Sequence, residues 1–123
     1  ASGEEGLVLR KDVFQNCLVL YPESVWNERL DLLKSQLRPW MHTHQQIFRQ
    51  FVSEAEVVAL DGNGRFLIPK RLMKVAGIEQ DIQFIGMDNT IEIWAPEKLK
   101  QTLKSEEEFG IEFENIMNIS DNL

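Results

Sequence analysis

DGNGRFLIPKRLMKVAG, residues 61–77, is the stretch on which the reading of the whole chain turns. A glycine-rich turn leads into an apolar run closed by Pro69, and a short basic helix then ends at Gly77, a natural C-cap. EVVAL (56–60) supplies the first arm of a hairpin and RFLI (65–68) the second. Asn63 and Gly64 supply the positive-φ positions that such a turn demands. Arg65, Lys70, Arg71 and Lys74 all fall in this stretch with no acid after Asp61, although the chain carries a formal net charge of −7.

The distribution of charge matters more than its sum. Residues 105–123 hold six acids and no base, which leaves 13 bases and 14 of the 20 acids in residues 1–104. The acidity therefore belongs to a tail, read as solvated or disordered, and the nearly neutral body keeps a local basic cluster. A length of 123 residues fits one domain, with 43% hydrophobic and 27% charged residues, as in ordinary globular proteins. No apolar run approaches the ~20 residues of a membrane span, so no membrane partner is expected. The single cysteine, Cys17, cannot form an internal disulfide; within CLVLY it reads as a buried, inert thiol, which fits a reducing cytoplasm.

Outward from the hairpin, the chain reads as α+β. Strands are expected at 7–10, 17–21, 57–60, 65–68, 82–86 and 90–94. Pro22 opens a helix whose Trp26, Leu30, Leu33 and Leu37 form one apolar stripe, and a second helix runs through HQQIFRQFVSEA (44–55). Together these make a helical insertion at 23–54, with Trp26, Trp40, Phe48 and Phe51 suited to helix packing or a subunit interface. Short helices follow at KRLMKVA (70–76) and PEKLKQTLK (96–104).

CLVLYPESV (17–25) and IEIWAPEKL (91–99) repeat one pattern at an offset of 74: strand, Pro-Glu, amphipathic helix. Only the later copy has a hairpin and short helix in front of it. The chain divides accordingly into a remnant of a first repeat (1–22), the helical insertion (23–54), a second repeat (55–104) and the acidic tail (105–123), as though the first repeat's opening unit were missing.

Several chemistries fail on the residues. An EF-hand requires an oxygen ligand where Arg65 stands and a glutamate where Leu72 stands. A phosphate loop requires Gly-Lys-Ser/Thr after the glycines. His42-x-His44 lacks a nearby cysteine or acid and reads as a pair of loop histidines. No nucleophile and base stand at a catalytic spacing, so no enzyme, cofactor or metal is expected. The basic cluster remains, with two readings. Lys70, Arg71 and Lys74 are the wet face of a short helix, with Arg65 paired to Asp61 across the turn; or they contact phosphates while Arg65 reaches a base edge.

LDGNGRFLIPKRLMKVAGI (60–78), with IEIWAPEKL downstream, resembles the MraZ family of bacterial transcriptional regulators in the AbrB-like swapped-hairpin superfamily. The resemblance covers roughly residues 6–104 and rests on Asp61, Arg65 and Pro69 in an Asp-x-x-x-Arg hairpin followed by a strand, a proline and a short helix. It implies an AbrB/MraZ-like swapped-hairpin β-barrel with short helices and a helical insertion, built from two tandem units. It further implies a ring-like homo-oligomer that binds direct repeats in the promoter of the division and cell-wall gene cluster, in the cytoplasm and at the nucleoid. On that basis Arg65, Lys70, Arg71 and Lys74 contact DNA and Asp61 orients Arg65 through a charge-assisted hydrogen bond. The first Asp-x-x-x-Arg unit is absent, which bears on affinity. The alternative is an oligomerisation or protein-interaction module that does not bind DNA.

Overall fold

The computed structural model describes residues 6–121; residues 1–5 of the expected first-repeat remnant and 122–123 of the expected tail lie outside the described residues. Strands β1 (Leu7–Lys11), β2 (Leu18–Pro22), β3 (Glu56–Val58), β4 (Gln83–Gly86) and β5 (Ile91–Trp94) form one antiparallel sheet in the order β3-β1-β2-β5-β4. The helices are α1 (Glu23–Gln36), α2 (His42–Ser53), α3 (Lys70–Val75), α4 (Pro96–Thr102) and α5 (Glu106–Asp121).

Strand alternation buries both faces of this sheet, since successive side chains point to opposite sides. Leu9, Leu18, Leu20 and Ile93 face one side and pack with Leu72 of α3, Ala76 and Ile78. Val8, Val19, Tyr21 and Trp94 face the other and pack with Trp26 of α1 and Leu99 of α4. Trp26 stacks on Phe51 of α2 with ring centroids 5.1 Å apart and meets Tyr21 edge-on at 5.2 Å. Trp26 and Phe51 thus serve helix packing, with Trp26 buried against the sheet, whereas Trp40 is 79% exposed in the turn between α1 and α2.

The offset of 74 is written into the strand register. Adding 74 to both partners of Leu9↔Leu20 gives Gln83↔Trp94, which pair in the same way in β4 and β5. The two copies meet at the centre of the sheet, where Leu18↔Ile93 and Val19↔Glu92 are exchanged by the same offset. The four strands β1, β2, β5 and β4 therefore follow a local two-fold in their register, and β3 adds to the β1 edge.

Four expectations need correction. The sheet is open, not a closed barrel, and residues 65–68 form no strand: they run extended beyond the turn without a ladder partner among the described residues. Only 56–58 of the first arm pairs, against β1, because the turn is closed locally while the arms beyond it have no neighbouring strand. The acidic tail is helical. Ser105 and Glu108 form the first half of a capping box, in which the Glu108 N–H donates to Ser105 Oγ at 3.1 Å, and Lys104 pairs with Glu112 at 2.9 Å. Finally, His42 and His44 are not loop residues but lie in the first turn of α2.

Candidate nucleic-acid interface

Asp61 builds the turn. Its N–H donates to the Arg65 carbonyl at 2.7 Å and its carbonyl accepts from the Gly64 N–H at 3.1 Å. Its carboxylate Oδ1 accepts from the N–H groups of Asn63 and Arg65 at 2.8 and 2.9 Å. Gly64 alone takes the left-handed conformation, at φ 75°; Asn63 does not share it. The loop is the three-residue kind, in which a left-handed glycine follows an ordinary turn.

The Arg65 side chain leaves this turn 74% exposed, with Nε 3.6 Å from Asp61 Oδ2. At that distance between two exposed groups the pair contributes little to stability. Asp61 therefore fixes Arg65 mainly by holding its backbone, and only weakly through the charge pair expected from the sequence. Beyond it, Phe66 and Ile68 turn inward onto the core while Leu67 points out at 86% exposure, an alternation that anchors the arm from one side only.

Pro69 caps α3, and Leu72 carries the helix on the core at 1% exposure. At its C-terminus the Gly77 N–H donates to the Lys74 carbonyl and the Ile78 N–H to the Met73 carbonyl, with Gly77 at φ 68°. This pair of bonds is a Schellman cap, which stops the helix and returns Ile78 to the core. Lys70 and Lys74, four residues apart, project from one face of α3 into solvent and make no ion pair among the described residues. Arg71 is engaged otherwise. Its guanidinium pairs with Glu56 Oε1 at 2.8 Å and donates to the Glu54 carbonyl at 3.2 Å, tying α3 to the joint between α2 and β3. The four cations thus separate into Lys70 and Lys74, which make no ion pair among the described residues, Arg65, held only loosely by Asp61, and Arg71, which braces the fold.

A fifth cation, Arg10, completes that brace. Arg10 is 6% exposed; its Nε donates to the Phe51 carbonyl at 2.9 Å, its Nη2 lies 3.3 Å from Glu54 Oε2, and its guanidinium sits 4.6 Å from the Phe51 ring centroid. The available signal was a charge inside the apolar strand LVLRK. Histidine and cysteine have structural roles. His44 Nδ1 accepts the Arg38 N–H at 2.9 Å, closing the turn between α1 and α2. Cys17 is fully buried, and burial, with Glu92 and Asp12 nearby, pushes its thiol up to about 12. No group of three His, Cys, Asp or Glu among the described residues stands ready to hold a metal.

Fold and surface together define an open-sheet α+β domain that carries a cationic turn and helix at one end of its core. The family model described as MraZ protein matches residues 51–116. The protein named Transcriptional regulator MraZ of Phocaeicola vulgatus is 55% identical over 123 residues, all of this chain and 80% of its own length. Its namesake in Bacteroides thetaiotaomicron is 60% identical over 118 residues, 96% of this chain and 76% of its own length. A more distant namesake in Clostridium tetani is 37% identical over 100 residues, 79% of this chain and 67% of its own length. The chain belongs to the MraZ family.

Proposed function

We propose that this chain is a sequence-specific DNA-binding transcriptional regulator that acts as an oligomer on direct repeats in the promoter of the division and cell-wall gene cluster, in the cytoplasm and at the nucleoid. The names of its relatives support transcriptional regulation. The observation that carries DNA contact is the presentation of Arg65, held by its backbone and left 74% exposed, beside two uncommitted lysines, Lys70 and Lys74. In this reading Arg65 addresses a base edge, Lys70 and Lys74 contact phosphates, Asp61 stiffens the turn, and Arg71 braces α3 rather than touching DNA. Residues 1–22 are the remnant of a first AbrB-like repeat, 55–104 the second repeat, 23–54 the helical insertion and 105–123 the acidic segment. The unpaired arm at 65–68 is the strand that exchanges between units in a swapped hairpin.

One subunit offers few phosphate contacts, so useful affinity requires several copies on neighbouring repeats. The test is fluorescence anisotropy of the chain with a promoter duplex and a scrambled duplex between about 50 and 200 mM salt. A preference for the promoter, with affinity falling steeply as salt rises, is expected. The competing reading, a protein-interaction module, draws on the exposed Val57, Leu60 and Leu67 around the hairpin. It gains if neither duplex binds and the chain still assembles.

A further inference from the structure

Helix α5 carries an apolar stripe, and apart from Ile111 the positions away from it are mostly acidic or polar. Phe109, Phe113 and Met117 recur at helical spacing and are exposed, the two phenylalanines at 58% and 55%; every described side chain from 106 to 118 is exposed. The phenylalanine rings lie 5.8 Å apart, so the stripe is already ordered along the helix. Five glutamates, Glu106, Glu107, Glu108, Glu112 and Glu114, occupy the same stretch, and no base does. An amphipathic helix with this pattern is stable when its stripe is covered.

The opposite pattern exists elsewhere in the molecule. Between α1 and α2 lies an open groove of about 680 Å3 with an apolar floor that includes Leu37, Phe48 and Val52. Lys34, Arg38 and Arg49 line it and no acid does; Lys34 Nζ stands 5.9 Å from the Phe48 ring centroid. His44, one of the lining residues, ties the corner of the groove together by accepting the Arg38 N–H at 2.9 Å.

We propose that α5 of one copy docks in the α1–α2 groove of a second copy, with Phe109, Phe113 and Met117 on the floor and the glutamates against Lys34, Arg38 and Arg49. The inference rests on the oligomeric reading above and assigns its contact. The contact is the head-to-tail one rather than a reciprocal exchange closing at two copies: an open assembly ends in one free stripe and one free groove, and it proceeds to a ring or a chain. Apolar fit supplies affinity and charge complementarity supplies specificity.

The experiment measures the mass of the full chain by sedimentation velocity, alone and in mixtures. Phe109→Ser with Phe113→Ser disables the stripe, and Arg38→Glu with Arg49→Glu disables the groove rim; all four side chains lie outside the buried cores, and circular dichroism confirms that each variant folds. Either double variant alone is expected to associate at least tenfold more weakly than the parent. Mixed, they retain one good groove and one good stripe, and a 1:1 complex that grows no further is expected. Parent-sized assemblies from both double variants overturn the proposal while leaving the oligomeric reading intact. A monomeric parent overturns both. Monomeric variants that form no 1:1 complex on mixing also overturn the head-to-tail contact and point to α5 folding onto its own chain.

Discussion

Two turns in this chain use the same local chemistry for different ends. Asp12 and Asp61 each start a turn of the form Asp-x-x-x, and each carboxylate accepts two backbone N–H groups: Phe14 and Gln15 at 3.0 and 2.9 Å, Asn63 and Arg65 at 2.8 and 2.9 Å. The first turn joins β1 to β2, two fully paired strands in the middle of the sheet. Its cation, Lys11, folds back on the loop and donates to the carbonyls of Asp12 and Gln15 at 3.0 and 3.1 Å. The second turn joins a three-residue strand to an arm with no ladder, and its cation stands out in solvent. An aspartate turn is therefore a neutral device. What distinguishes the two is whether the neighbouring cation closes the loop or is held away from it.

That contrast can be broken or sharpened by substitution. The largest effect belongs to the platform under the second turn: Leu72→Ala leaves a cavity where α3 meets the core and is expected to destabilise the chain by about 3 kcal/mol in urea unfolding. An unchanged midpoint would mean that α3 is not held by the core. Next comes Asp12→Ala, which strips two N–H partners from a turn between fully laddered strands and should cost about 1–2 kcal/mol by the same measurement. Asp61→Ala removes the same number of bonds from a turn with little structure behind it, and a cost below about 1 kcal/mol is expected. If Asp61→Ala proves the more damaging of the two, the hairpin is structural and the contrast collapses. In DNA binding, Asp61→Ala should act only by loosening Arg65, so the double variant with Arg65→Ala should bind little worse than Arg65→Ala alone. The smallest effect is Lys74→Ala, which should weaken promoter and scrambled duplexes alike and lower the salt slope by about one phosphate per site.

Much of the frame was legible because it is local. Pro22 and Pro96 mark where strands hand over to helices, Gly77 ends α3, and the 74-residue offset in the letters reappears in the strand register. Long-range facts were not legible. The Gly/Asn turn was readable, but a ladder for 65–68 depends on a neighbour that no local pattern encodes. Arg71 looked as free as Lys70 and Lys74 because its partner, Glu56, lies 15 residues away, and Arg10 reaches Glu54 across 44 residues. Helix α5 was misread for a different reason. Counting its acids hid the capping serine at 105 and the Phe109–Phe113 spacing, both of which were there to be read.

In the proposed function Arg65 is held out for DNA and does little for the fold. Arg65→Ala tests it most directly, with promoter affinity and thermal unfolding measured on the same preparation. The account predicts a melting curve within about 1 kcal/mol of the parent and loss of promoter preference worth about 1–3 kcal/mol per subunit. An Arg65→Ala chain that binds the promoter as the parent does but unfolds well below it would contradict the account and make Asp61 and Arg65 a structural pair.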